Sequence, residues 1–255
     1  MHRDVVSRVQ RQAIGIIDRV CPKFIIGSLT STPRSLLIIT IDGPAGVGKS
    51  TVAKLLASRL GYRYVDTGAL YRAVAWKVNR SKVDPSDPAA VSALLPSMSI
   101  ALRYERESPR VCVNHDDVTQ EIRTSEISQI ASVVSAIPAV REWLLPVQRR
   151  VGSDGHVVVE GRDIGTCVFP HADVKFFLDA DVAVRAARRH RELATAGHAV
   201  APEKTRQDID VRDTRDRSRE LAPLAPAADA HMIDTSAMEV GQVVDRMLAI
   251  IASNL

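Results

Sequence analysis

Residues 43 to 50 read Gly-Pro-Ala-Gly-Val-Gly-Lys-Ser, a complete G-x-x-x-x-G-K-S phosphate loop. Gly43, Gly46 and Gly48 let the run that also holds Pro44, Ala45 and Val47 curl tightly enough for its backbone N–H groups to converge on a phosphate. The helix that starts beside Ser50 and Thr51 adds the partial positive charge of its N-terminus. Lys49 has the reach for β- and γ-phosphates, and the Ser50 hydroxyl is a ligand for Mg²⁺. The flanks fit this reading. Leu36 to Asp42 is an apolar run of strand length, and Ser50 to Leu60 has helical periodicity and stops at Gly61. A strand, a glycine turn and a helix in that order predict a site for a nucleoside triphosphate.

The elements that must hold this loop can be read outward from it. Tyr62 to Asp66 reads as a second strand and Gly68 to Asn79 as a helix with Leu70, Tyr71, Val74 and Val78 on its apolar side. From Ser81 to about Asp117 a short helix near Pro85 and Pro88 and two short strands, 99–104 and 110–114, predict a hairpin-bearing insert. Two helices follow, 124–135 and 138–152, the second opening on a proline. His156 to Glu160 and Val174 to Leu178 are nearly continuous apolar runs, as parallel strands buried on both faces require. Asp181 caps a helix that ends at Gly197; His231 to Asp234 is a last strand and Glu239 to Ser253 a last amphipathic helix. Alternating strands and helices predict an α/β fold with a parallel sheet of five strands and inserts after the second and fourth.

The bulk properties exclude several classes. A chain of 255 residues with 45% hydrophobic content can bury one α/β core with inserted lobes. No apolar stretch approaches the roughly 20 residues of a membrane span, so a protein without a membrane partner is expected. Cys21, Cys112 and Cys167 are odd in number and lack metal-ligand spacing, which suits reduced thiols in the cytoplasm. The net charge of +4 suits phosphorylated small substrates and nucleic acid alike.

Nine arginines lie between Arg185 and Arg219, interleaved with six acids and a single lysine. Charge patterning of this kind also describes a solvated helical hairpin. The near-exclusive use of arginine, whose planar fork grips phosphate oxygens bidentately, and the position after a strand of the same sheet favour a lid over bound phosphates. The segment has no aromatic platform on which bases could stack, which argues against a nucleic-acid partner. The Asn-Lys-x-Asp base reader of GTPases and the Leu-Ser-Gly-Gly-Gln run of transporter ATPases are missing. Transfer of the γ-phosphoryl group to a small acceptor is therefore expected.

Longer blocks are specific enough for a family. Ile41 to Ala53, Asp66-Thr67-Gly68-Ala69-Leu70-Tyr71-Arg72, Val118 to Thr124, Glu160-Gly161-Arg162-Asp163-Ile164-Gly165-Thr166, and Arg212-Asp213-Thr214-Arg215-Asp216-Arg217-Ser218-Arg219 resemble bacterial-type cytidylate kinase from about Leu36 to Leu255. The resemblance implies a three-layer P-loop kinase fold with sheet order 2-3-1-4-5, an inserted lobe for the nucleoside monophosphate (about 82–117) and a lid (about 185–220). It implies phosphoryl transfer from ATP, with Mg²⁺, to CMP or dCMP by a monomer. By the same resemblance Thr67, Asp216 and Arg219 contact the pentose, Ser132, Arg141 and Asp163 read cytosine, and Arg72, Arg162 and Arg212 hold phosphates. Lys49, Arg162 and the lid arginine Arg188 are then the catalytic cations. Departures at Glu160, Gln129 and Thr67, where the family more often has Asp, Asn and Ser, bear on fine specificity.

Residues 1 to 35 precede the first expected strand. Val5, Val9, Ala13, Ile16, Ile17 and Val20 recur at helical spacing between arginines, a pattern shared by an organelle transit peptide, a packed surface helix and a dispensable leader. The last of these is the expectation, with Gly27 to Ser35 as linker. Deleting residues 1 to 34 should leave turnover unchanged and the melting temperature within about 3 °C. A truncated protein that is insoluble or melts far lower would make the leader a packed structural element.

Overall fold

The computed structural model describes residues 36–105, 108–195, 197 and 199–254; the leader and linker expected over 1–35 lie outside the described residues. The core is a five-stranded parallel sheet of β1 (Ile38–Asp42), β2 (Arg63–Asp66), β6 (Val157–Glu160), β7 (Val174–Asp179) and β8 (His231–Asp234). The spatial order is β2-β6-β1-β7-β8, which among the core strands taken in chain order is 2-3-1-4-5, as expected. β1 therefore lies between β6 and β7, and its carboxyl end opens into the crevice where ligands of such sheets bind.

The register decides what meets in that crevice. Glu160 pairs with Ile41 of β1 on one side and with Asp66 of β2 on the other. The acidic last residues of β1, β2 and β6 are thus drawn up along one edge of the sheet. Ile39, Ile41, Val158 and Phe176 are buried beneath α1 (Lys49–Leu60) and α8 (Val240–Ser253), whose Val52, Leu56, Val244 and Met247 complete that core. α8 starts at a reciprocal capping box of Glu239 and Gln242.

A second hydrophobic core packs around the helix that follows β2. α2 (Thr67–Arg80) is capped by Asp66, which accepts from the Ala69 N–H at 3.1 Å. Its Leu70, Val74 and Val78 pack with α4 (Ser125–Val134), α5 (Pro138–Gly152) and the insert. The insert consists of α3 (Pro88–Leu94), capped by Asp87, and an antiparallel sheet of β3 (Ile100–Glu105), β4 (Ser108–Val113) and β5 (Asp116–Asp117). It holds one strand more than the expected hairpin, because β5 is two exposed aspartates with no apolar pattern to announce it. α6 (Val182–Thr195) and α7 (Pro202–Ser218) form the arginine-rich pair.

A further departure sits between β6 and β7. Residues Ile164–Val168 form a π-helical turn, a geometry common at functional sites. Asp42, 4% exposed at the end of β1, accepts the N–H of Ile164 at 2.9 Å and of Gly165 at 2.8 Å. Gly165 allows this approach, since a Cβ there would meet Thr40 Oγ1 at 3.1 Å and Lys175 Cδ at 3.2 Å. One carboxylate thereby ties the strand that feeds the phosphate loop to the turn that follows Arg162 and Asp163.

Burial pushes the Asp42 carboxyl up to about 6; Asp163 acts in the same direction, while the two N–H bonds and Lys49 oppose. A raised value means that folding favours the protonated form. The contribution of Asp42 to stability is complete below its ordinary 3.8 and is lost as pH rises through about 6. Urea denaturation of the wild type and Asp42→Asn should show their stability difference moving toward the wild type by about 1–3 kcal/mol between pH 7 and pH 4. A difference independent of pH would mean that Asp42 titrates as it does in the unfolded chain.

Candidate active site

The phosphate loop has the conformation that its glycines were read to require. Gly43, Gly46 and Gly48 have φ of 149°, 72° and 97°. A side chain at Gly43 would also meet the Leu178 carbonyl oxygen at 2.2 Å. Ala45, Gly46, Gly48, Lys49, Ser50 and Thr51 face a single deep pocket, whereas Gly43, Pro44 and Val47 shape the loop from outside its lining. Lys49 is buried, and its Nζ donates to the Pro44 carbonyl at 2.7 Å. Burial lowers its pKa well below the usual lysine range, and Arg162 and Arg212 add to this by repulsion. An anionic ligand on the loop would reverse that repulsion.

Beside the loop, the Tyr64 hydroxyl donates to the Glu160 carboxylate, and the Ser50 hydroxyl is near enough to act on the same carboxylate. Glu160 is 3% exposed, and burial together with Asp66 raises its pKa. A hydroxyl beside a carboxylate is a hard-oxygen pair of the kind Mg²⁺ takes alongside phosphate oxygens and water. Among the described residues no cluster of three His, Cys, Asp or Glu side chains could hold a metal by protein ligands alone. The residues present fit a metal that arrives with its phosphates.

The pocket continues from the loop to the residues expected to hold the acceptor. Thr67, Arg72, Ser132, Arg162, Asp163, Arg212, Asp216 and Arg219 all line it. Thr67 donates to the Glu160 carbonyl at 2.8 Å, and Arg72 is paired with Asp66 at 2.6 Å. Asp216, on α7, is the centre of a cationic group. Arg162 donates to it at 3.1 Å, and Arg212 and Arg219 lie at 3.9 Å. These three arginines hold its carboxylate below its ordinary value against the effect of burial, and burial, reinforced by Arg162, brings Arg212 down to about 10. One carboxylate thus answers three guanidinium groups. Arg72 Nε, Arg212 Nε and Arg219 Nη2 are buried donors with no hydrogen-bond partner among the described residues. Orphaned guanidinium donors converging on one pocket make it a receptor for anions.

At the far end Asp163 is 3% exposed, and burial raises its pKa despite its pairing with Arg141. Arg141 lies outside the pocket lining, held by Asp163, by the Ser135 carbonyl at 3.1 Å and over the Tyr71 ring at 5.6 Å. Ser132 accepts from Arg215 Nη1 at 2.9 Å. Arg215 was singled out only as part of a charged block, and it joins α7 to the acceptor side.

The sequence expectation for the first lid helix needs correction. Arg188, expected among the catalytic cations, does not line the pocket and reaches the phosphate loop only at the Val47 carbonyl, at 3.5 Å. It donates to the Thr235 hydroxyl at 3.0 Å and the Thr235 carbonyl at 2.7 Å, beyond β8. Neighbouring helical residues point about 100° apart, which here separates Arg188 from Arg189. Arg189 is the one that lines the pocket. Arg185 is buried under the phosphate loop. Sequence reasoning also missed Asp42, whose place just before Gly43 was the only available signal.

The comparisons with known proteins agree with this geometry. The family model described as cytidylate kinase matches residues 39–253. A cytidylate kinase of Pelotomaculum thermopropionicum is 49% identical over 212 residues, 83% of this chain and 94% of its own length. That of Geobacter sulfurreducens is 45% identical over 223 residues, 88% of this chain and 96% of its own. The chain belongs to the cytidylate kinase family.

Proposed function

We infer that this protein transfers the γ-phosphoryl group of ATP to the phosphate of CMP or dCMP, giving ADP and CDP or dCDP. The observation that carries the reading is the continuity of one pocket, from the phosphate loop past Lys49 to the arginines around Asp216 and on to Asp163. Donor phosphates on the loop and an acceptor phosphate among Arg72, Arg162 and Arg212 would share one space. Membership of the family supports the choice of acceptor.

The chemistry asked of the protein is positioning and charge compensation. The acceptor is a phosphate monoester with a second pKa of about 6, so its attacking oxygen is already ionised at neutral pH and needs no base. Its lone pair forms the new bond to Pγ while the bond from Pγ to the ADP oxygen breaks, and the departing electrons stay on ADP. The barrier is the repulsion of two polyanions. Lys49 on the donor side and Arg162 and Arg212 between donor and acceptor offset it. Mg²⁺, held at Ser50 with Glu160 beside it, would add a further positive charge at the β- and γ-oxygens. At the base, the Asp163 carboxylate can accept from the exocyclic amine of cytosine, Ser132 can donate to a ring acceptor, and Arg141 sets the carboxylate's orientation. Thr67, Asp216 and Arg219 take the pentose. α6 and α7 serve as the lid. Because every group comes from one chain, the working unit is read as a monomer acting on free nucleotides in the cytoplasm.

ADP release should be fastest with CMP or dCMP when these are compared with UMP and AMP. Asp163→Ala should lower the ratio of kcat/KM for CMP over UMP at least about tenfold, with KM for ATP within about threefold of the wild type. Equal loss for CMP and UMP would remove Asp163 from base recognition.

A further inference from the structure

Ala45 of the phosphate loop meets both lid helices. Its methyl packs in a small buried cluster with Ala186 of α6 and Ile209 of α7. Both hydrogen-bonding groups of its backbone are taken by the same two helices. The Ala45 N–H donates to Asp213 Oδ1 at 3.0 Å, and the Ala45 carbonyl accepts from Arg185 Nη1 at 3.0 Å. Asp213 and Arg185 are paired with each other, and both are nearly inaccessible, at 4% and 2% exposure. Arg185 is anchored in turn by its Nε on the Ala180 carbonyl at 3.0 Å. The contact extends to the next residue, because a side chain at Gly46 would strike the Arg185 carbonyl oxygen at 2.7 Å.

We propose that Asp213 is a positioning residue of the donor site, fixing through Arg185 and the Ala45 peptide the geometry in which the loop receives phosphates. The physical argument is one of orientation. Loop N–H groups bind phosphate only when they converge, and each is set by the rotation of its peptide plane. The peptide that enters Ala45 is held at its N–H by Asp213, and the one that leaves it, carrying the Gly46 N–H, is held at its carbonyl by Arg185. Gly46 has no Cβ to restrict its own rotation, so an external restraint is required there. Three residues beyond Asp213 on α7 stands Asp216, the centre of the arginine group, and Arg212 immediately precedes Asp213. The contact that orients the loop therefore also seats the helix that brings Arg212 to the pocket. α6 and α7 are rooted on the loop at Arg185 and Asp213.

The proposal rests on reading Gly43–Ser50 as the donor-phosphate loop, and ADP titrated calorimetrically into the wild type checks that reading separately. The test compares the wild type with Asp213→Asn, whose amide oxygen can serve Ala45 or Arg185 but not both. It also includes the double variant Arg185→Met with Asp213→Leu, which removes both buried charges and so avoids the penalty of an unpaired one. ADP affinity should fall at least about tenfold in both, with kcat at saturating ATP also reduced, although the double variant recovers the melting temperature. A purely structural ion pair would behave otherwise, with ADP affinity and kcat returning alongside stability. Wild-type ADP affinity and kcat in either folded variant would overturn the proposal. Should the asparagine variant fail to fold, the double variant decides. If the wild type itself does not bind ADP, the loop assignment has failed instead.

Discussion

Everything around the pocket depends on three guanidinium groups crowded onto one buried carboxylate. Asp216 is shared by Arg162, Arg212 and Arg219, and Lys49 stands close enough to Arg162 and Arg212 for its proton to be weakened by them. A buried donor left without a partner costs about 1–3 kcal/mol, and three guanidinium nitrogens here are in that position. A protein selected only for stability would replace such a cluster with apolar side chains. Its retention makes sense if the missing acceptors are phosphate oxygens of the substrates. The same crowding of guanidinium groups that destabilises the protein alone then stabilises the arrangement of two polyanions in transfer.

The rest of the fold can be seen as the means of holding that charge in place. Parallel register lines up the ends of β1, β2 and β6, so that Asp42, Asp66 and Glu160 share one edge. Each carboxylate then restrains a different partner. Asp66 caps α2 and aligns Arg72; Glu160 receives Tyr64; Asp42 carries the π-turn after Asp163. From α7 come both Asp213 to the phosphate loop and Arg215 to Ser132, so that one helix touches the loop and the pocket lining at Ser132. These acids are conformational restraints that allow the cations to remain close together.

What the sequence made legible follows the same division. The phosphate loop was readable because its chemistry is local: three glycines at fixed offsets need positive φ, and a strand and a helix must flank them. The sheet was readable because strands buried on both faces leave continuous apolar runs such as Val157–Val159. Long-range polar pairing was much less accessible. Asp213 and Asp216 are three apart and share a helix face, yet nothing in their spacing tells that one meets Ala45 and the other Arg162. Arg188 and Arg189 differ by a single helical step, and only the packing of α6 against the segment after β8 turns one of them toward Thr235. β5 is too short and too polar to carry a periodic signal.

Charge compensation by the acceptor phosphate is open to direct measurement. Calorimetric titration of the protein with CMP and with cytidine isolates the phosphate, because the two ligands share base and ribose. If the arginines around Asp216 await phosphate oxygens, CMP should bind at least about 100-fold more tightly than cytidine, and the advantage should shrink as salt is raised. Equal affinities for CMP and cytidine at low salt would contradict the account, since the buried guanidinium groups would then be structural and not a receptor for the acceptor phosphate.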